Sequence, residues 1–216
     1  VESSNAGENK AVSYTKSALS GEDKDNYELS ETAWPTLTVT ISKTDESNTV
    51  ITTTQNELDK TYDGYEVVDV KSTSNNKTTP VVEYSVKGKN EYTTTKPKDA
   101  GEYTVRVTYP ADDNYEKSSV TKDFTIKKMK TRVSAIDLSK TYGEKGYELM
   151  YSFDRLARGD RLTGIILTRE EGEDVGTYKI KVSQKEGSNP NYDITFKDGT
   201  YTINPLSIDK GTVVLG

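Results

Sequence analysis

The chain has 216 residues and contains neither cysteine nor histidine. Without them it has no imidazole base, no Ser-His-Asp or Cys-His nucleophile system and no thiolate or imidazole zinc site. Any catalysis would have to run on carboxylate, Lys or Tyr chemistry. No disulfide can form, so the fold must hold by burial and hydrogen bonding alone, in an oxidising or a reducing compartment alike. Long apolar runs are missing as well. No stretch approaches the roughly 20 apolar residues that span a bilayer, so membrane insertion is not expected. No charged start followed by an apolar segment occurs, and a signal peptide is not expected within these residues. Positive charge is in deficit, with 29 Lys and Arg against 35 Asp and Glu for a net charge of −6. That balance argues against a nucleic-acid partner, because neutralising phosphates needs clustered basic residues.

Hydrophobic residues make up only 31% of the chain and charged residues 30%. A core drawn from so little must be thin and repeated rather than single and large. The apolar and aromatic residues present, Val and 15 Tyr, suit a pleated, half-buried surface together with the abundant Thr, so disorder is not the reading. One stretch is written twice. Asp99–Val107 reads Asp-Ala-Gly-Glu-Tyr-Thr-Val-Arg-Val, and Asp174–Val182 reads Asp-Val-Gly-Thr-Tyr-Lys-Ile-Lys-Val. Tyr103, Val105, Val107 and Tyr109 alternate with polar residues in the first copy, as Tyr178, Ile180 and Val182 do in the second. Alternation places them on one face of a strand and predicts a half-buried strand after a glycine turn.

Other elements recur in the same order. Asn5-Ala6-Gly7-Glu8 matches Asp99-Ala100-Gly101-Glu102, and Asn26-Tyr27, Asn114-Tyr115 and Asn191-Tyr192 each follow a polar turn. Each leads to a final alternating strand: Leu37, Val39 and Ile41; Phe124 and Ile126; Tyr201 and Ile203. Lys60-Thr61-Tyr62-Asp63-Gly64 and Lys140-Thr141-Tyr142-Gly143-Glu144 open two of the repeats. Further strands are expected at Val50-Ile51, at 81–86 with Val82, Tyr84 and Val86 inward, and at Leu149, Tyr151 and Phe153. Residues 154–160 read as a helical turn or a loop, and 71–79 as a Ser/Thr/Asn loop. The expected organisation is the C-terminal half of a module at 1–43, whole modules at 44–128 and 129–205, and the start of another at 206–216.

At this point the residues resemble a known group. Thr141-Tyr142-Gly143, Gly159-Asp160-Arg161-Leu162-Thr163-Gly164, Asp174-Val175-Gly176-Thr177-Tyr178, Asn189-Pro190-Asn191-Tyr192 and Gly199-Thr200-Tyr201-Thr202-Ile203 look like the MBG repeats of large bacterial surface proteins. Lys60-Thr61-Tyr62-Asp63-Gly64, and Leu19-Ser20-Gly21 with Asp25-Asn26-Tyr27, are similar to the related YDG-type repeats. The resemblance implies tandem all-β modules, Ig-like or similar, in extracellular adhesins or stalks on the bacterial cell surface. It supplies no catalytic or ligand residues.

The expected fold class is therefore all-β: serial small Ig-like β-sandwich modules, with small β-grasp-like barrels as the alternative. The expected function is a non-enzymatic structural or interaction segment, a monomer whose partner is an unknown extracellular protein or glycan. No catalytic, cofactor or metal residues are assigned, and the ligand-binding residues are unknown. Sharper readings of single residues are weaker. Glu170, Glu171, Glu173 and Asp174, or Glu22, Asp23 and Asp25, could pair across a glycosidase cleft or hold Ca²⁺, but they lack EF-hand spacing and read as solvated turns. Trp34, the only Trp, could stack on a sugar but reads as a core cap. Tyr27, Tyr115 and Tyr192 could anchor loops by hydrogen bonds to backbone. An intramolecular Lys–Asn isopeptide is disfavoured because the lysines fall out of phase with the apolar face. A glycan-binding reading would use the loops at 71–79, 86–98 and 154–164.

Overall fold

A computed structural model of the chain describes residues 4–12, 19–28 and 36–208. Among these residues the regular structure is nearly all strand: β1 (Gly7–Val12), β2 (Leu37–Ile41), β3 (Val50–Ile51), β4 (Lys60–Thr61), β5 (Ser72–Thr73), β6 (Val81–Val86), β7 (Gly101–Tyr109), β8 (Ser118–Lys127), β9 (Met129–Ala135), β10 (Leu138–Thr141), β11 (Tyr151–Phe153), β12 (Ile165–Arg169), β13 (Gly176–Gln184), β14 (Tyr192–Lys197) and β15 (Gly199–Asn204). One turn of α-helix, Gln55–Leu58, and a 3-10 turn at Lys24–Asn26 are the exceptions. The fold class is all-β, as the alternation predicts. The final strands β2, β8 and β15 lie in three separate sheets.

The chain divides into two compact units. The first comprises Val1–Thr54, Asp69–Glu83 and Val105–Lys122; the second comprises Gln55–Val68, Tyr84–Thr104 and Asp123–Gly216. In the first unit β1 pairs antiparallel with β2, and β3 with β5. The predicted strand at Val50-Ile51 is thus β3, and the 71–79 loop carries the short strand β5 that pairs with it. Val105, Val107 and Tyr109 are buried as the sequence alternation requires. Leu37 and Val39, expected to face inward, are exposed instead. They belong to a two-stranded sheet, and two strands alone offer no second layer to cover them.

The second unit contains a sandwich. A four-stranded sheet of order β10-β15-β13-β12 and a three-stranded sheet of order β11-β9-β14 share one core. Val133 and Ala135 come from the smaller sheet, Ile180, Val182, Tyr201 and Ile203 from the larger, and all are buried. Burying one large apolar side chain of this kind contributes about 1.5–3 kcal/mol, and Leu138, Leu149, Tyr151, Leu162, Ile165, Leu167, Tyr178, Ile194 and Phe196 pack against the core half-buried. Phe153 departs from the expectation: it is exposed at the end of the three-residue strand β11. Val86 departs too. At the end of β6 the alternation breaks, and Ser85 turns inward with its hydroxyl donating to the Val86 carbonyl at 3.1 Å. Residues 154–160 form a loop, not a helical turn.

Two strands change sheet side by side. β9 runs parallel to β14 in the small sheet, then β10 runs parallel to β15 in the large one, the chain stepping across at Ile136-Asp137 and at Asp198-Gly199. Asp137 accepts hydrogen bonds from the Thr200 N–H at 2.7 Å and the Thr200 hydroxyl at 3.0 Å, and Asp198 accepts from the Val182 N–H at 3.0 Å. The Thr200 bonds hold the Asp137 carboxyl below the usual carboxylate range; the Lys179 ammonium, and then the Val182 N–H, do the same for Asp198. Gly199 sits where the two crossings touch. A Cβ there would stand 2.9 Å from the Ala135 carbonyl oxygen, inside any normal contact.

The larger sheet has a counterpart. Order β4-β8-β7-β6 matches order β10-β15-β13-β12, and each begins with a Lys-Thr edge strand pairing in parallel: Lys60 opposite Ile126, Lys140 opposite Ile203. Tyr103 and Tyr178 hold like places in the two, each hydroxyl donating to the carbonyl four residues back, Asp99 at 3.0 Å and Asp174 at 2.9 Å.

Gly199→Ala is expected to destabilise the sandwich by about 2 kcal/mol, because the carbonyl it meets belongs to backbone that cannot swing away; urea unfolding followed at Tyr201 measures it. Acid should act on the same place. Asp137 and Asp198 have folded pKa values below their unfolded ones, so the stability they contribute is complete above about pH 4 and is lost as pH falls through the lower folded values. Asp137→Asn is expected to flatten that acid limb.

Candidate functional site

The turns that carry Asn-Tyr do more than reverse the chain. In the first compact unit Asp112 Oδ1 accepts from the N–H groups of Asn114 and Tyr115, both at 2.8 Å, and those two bonds hold its carboxyl low. The turn so fixed presents Asn114. Its Oδ1 accepts from the Ala6 N–H at 2.9 Å, its Nδ2 donates to Asn5 Oδ1 at 3.0 Å, and its carbonyl accepts from the Thr44 N–H at 2.9 Å. The second compact unit repeats the set atom for atom. Asn191 Oδ1 accepts from the Ala100 N–H at 2.8 Å, Nδ2 donates to Asp99 Oδ1 at 3.0 Å, and the carbonyl accepts from the Met129 N–H at 2.9 Å. In each case the carboxamide grips an Asx-Ala-Gly turn earlier in the sequence, while the main-chain carbonyl takes a backbone N–H, that of Thr44, an isolated bridge residue, or of Met129 at the start of β9. An amide side chain is the one group of that size offering donor and acceptor together.

Beside Asn191 lies a second contact. Asp160 Oδ2 accepts from the Tyr62 hydroxyl at 2.9 Å and from the Tyr192 hydroxyl at 2.7 Å, and the two rings meet edge to face with centroids 5.7 Å apart. Tyr192 also accepts the Ala157 N–H at 2.9 Å, the backbone anchorage expected of it. Burial first, and then donation to Asp160, push the Tyr192 hydroxyl up to about 12 and raise Tyr62 as well. Tyr27 is exposed. Among the described residues the Tyr115 hydroxyl makes no hydrogen bond.

The three loops proposed for ligand contact differ. In 71–79, Asn76 is buried and spends its side chain on the Pro110 carbonyl and on Thr78. In 154–164, Ala157 and Asp160 are held by the two tyrosines just described. The 86–98 loop borders an open cleft of about 520 Å³, lined by Glu66, Tyr84, Glu91, Lys96, Asp99 and Tyr103 among others, while 154–164 lines two smaller ones of about 410 and 340 Å³. Its walls combine polar side chains with Tyr84, which is buried, and Tyr103, which is stacked on Phe124.

The carboxylate clusters are engaged or dispersed. Glu173 meets both Lys140 and Arg169, which hold its carboxyl low, and Glu170 accepts the Lys179 N–H at 2.9 Å. Glu22, Asp23 and Asp25 are exposed around the 3-10 turn, and among the described residues no group of three His, Cys, Asp or Glu is placed to hold a metal ion. Lys140 corrects the phase argument against an isopeptide: it points inward and is only 7% exposed, its alkyl stem buried while the ammonium reaches the Glu144 carbonyl and the Glu173 carboxylate. Neither contact is an asparagine. Trp34 lies outside the described residues.

Asn191→Ala removes two side-chain hydrogen bonds and is expected to cost about 1–3 kcal/mol, read as faster hydrogen exchange at the Ala100 amide, with Asn114→Ala acting likewise at Ala6. Alkali should loosen the tyrosine pair. The folded chain keeps the Tyr192 proton until about pH 12 while the unfolded chain releases it near 10, so this stabilisation is complete below pH 10 and is lost between the two values. Ultraviolet titration should show a late tyrosine that Asp160→Asn brings to lower pH.

Comparison with known proteins adds one positive finding. No curated protein matches the chain. Residues 132–202, from β9 into β15, match the family described as MBG domain (YGX type), so the stretch that builds the sandwich is similar to MBG modules.

Proposed function

We propose that the chain is a non-enzymatic structural segment of a bacterial surface protein, its β-modules serving as stalk or adhesin repeats outside the cell. The carrying observation is the recurrence of one junction, the asparagine carboxamide on an Asx-Ala-Gly turn, at Asn114 and again at Asn191. The matched order of two four-stranded sheets and the MBG similarity of 132–202 support the reading. Modules at 44–128 and 129–205 would each bury a small core and clasp the repeat before it, a monomeric array that keeps its length without disulfides. The mechanism is mechanical: load passes along backbone and through the hydrogen bonds of Asn114 and Asn191, of which those of the carboxamide oxygens are partly buried.

A second reading has its own observation. The cleft beside 86–98, with Tyr84 and Tyr103 in its walls, has the composition of a site for a glycan or glycoprotein. The purified chain applied to a glycan array separates the two. No reproducible binding is the expected outcome for a scaffold; binding that Glu66→Ala and Glu91→Ala abolish would overturn it in favour of a lectin-like module. Single-molecule pulling is expected to show separate unfolding events of similar height, and Asn191→Ala to lower one of them.

A further inference from the structure

Three positions stand in the same place relative to the final strands. Thr44, Met129 and Leu206 each lie three residues after an isoleucine of β2, β8 or β15, namely Ile41, Ile126 and Ile203. The N–H groups of Thr44 and Met129 donate to the carbonyls of Asn114 and Asn191. Leu206, 58% exposed, has no such asparagine, and Ile208 next in alternation is 65% exposed. The two turns gripped by those asparagines, Asn5-Ala6-Gly7 and Asp99-Ala100-Gly101, also have a third counterpart, Asp174-Val175-Gly176. Val175 is 52% exposed, and among the described residues no side chain donates to the Asp174 carboxylate.

A third pair of positions agrees. Tyr62 follows β4 and Tyr142 follows β10, each donating its N–H at 2.8 Å to the strand beside it, to Lys127 and Asn204. Tyr62 is 5% exposed under Tyr192 and Asp160, whereas Tyr142 is 49% exposed. What is covered in one copy is bare in the other.

We infer that Asp174-Val175-Gly176, Tyr142 and the Leu206 amide form one docking surface, and that its occupant is the Asn-Tyr turn of a further β-module of this kind joined after Pro205. This rests on the reading of the chain as an array of modules and names the contact that extends it. The incoming asparagine takes the Val175 N–H on its carboxamide oxygen, gives its amide to the Asp174 carboxylate and accepts the Leu206 N–H on its carbonyl. The incoming tyrosine covers Tyr142. An asparagine in a chain-linked neighbour meets the turn at high effective concentration, so hydrogen bonds too weak to join separate molecules suffice.

The test is the chain through Pro205 followed by a second copy of residues 129–216, in which the amide of the added Met129 takes the place of that of Leu206, with hydrogen exchange read at Val175. The Val175 amide is expected to exchange at least tenfold more slowly than in the unextended chain, and Asn191→Ala in the added copy alone is expected to return it to the original rate. Protection of the added copy's β13 amides shows that it has folded. If it has not, residues 44–128 joined at the same point present Asn114 instead. A folded added module of either kind that leaves Val175 exchanging at its original rate overturns the docking surface while leaving the array reading intact. Glycan binding through the 86–98 cleft would instead remove that reading.

Discussion

Asn114 and Asn191 hold two things at once, and the joining of turns far apart along the chain depends on it. The main-chain carbonyl of each takes a backbone N–H, from Thr44 or Met129, and the carboxamide ties the Asn-Tyr turn to an Asx-Ala-Gly turn earlier in the sequence. A chain with 31% hydrophobic residues has little apolar surface left for holding distant turns together after its cores are built. Hydrogen bonds to backbone fill that role with high directional demand, and a buried or half-buried N–H left without its acceptor would carry the full cost of desolvation.

The same economy shapes the sandwich. Its core needs only a handful of inward residues because two strands are used twice, once in each sheet, through the crossings at Asp137 and Asp198. Each crossing breaks a ladder, and each aspartate supplies the acceptor that the broken ladder leaves wanting. Lys140 is part of this economy too: its stem packs inward and its ammonium closes the turn after Tyr142. Glu173, in the acidic turn at 170–174, is consumed in this way, held by Lys140 and Arg169. Chemistry of the charged groups here is mostly the chemistry of holding turns and edges.

Much of the fold was legible in the residues. Tyr103, Val105, Val107 and Tyr109 alternate and lie half-buried or buried, as do Tyr178, Ile180 and Val182, since the two-residue period of a strand leaves no other face for them. Leu37, Val39 and Val86 alternate too, yet they are exposed. Alternation says that one face differs from the other; it does not say that a second layer lies over it. The cleft beside 86–98 was legible only as a loop. That 154–164 is pinned by Tyr62 and Tyr192, nearly a hundred residues and about thirty residues away along the chain, was not legible at all.

The sequence by itself determined that the chain is all-β, that one strand-and-turn pattern recurs along it, and that imidazole and thiol chemistry are out of reach, because side-chain period and residue inventory are local properties. Only the tertiary structure decided which turn meets which. The same Asn-Tyr dipeptide reads as a turn at 26, 114 and 191, and what separates an exposed Tyr27 from a buried Tyr192 is whether another part of the chain has been brought against it. Hydrogen bonds depend on positions in space to within a few tenths of an ångström, and sequence spacing does not carry that information.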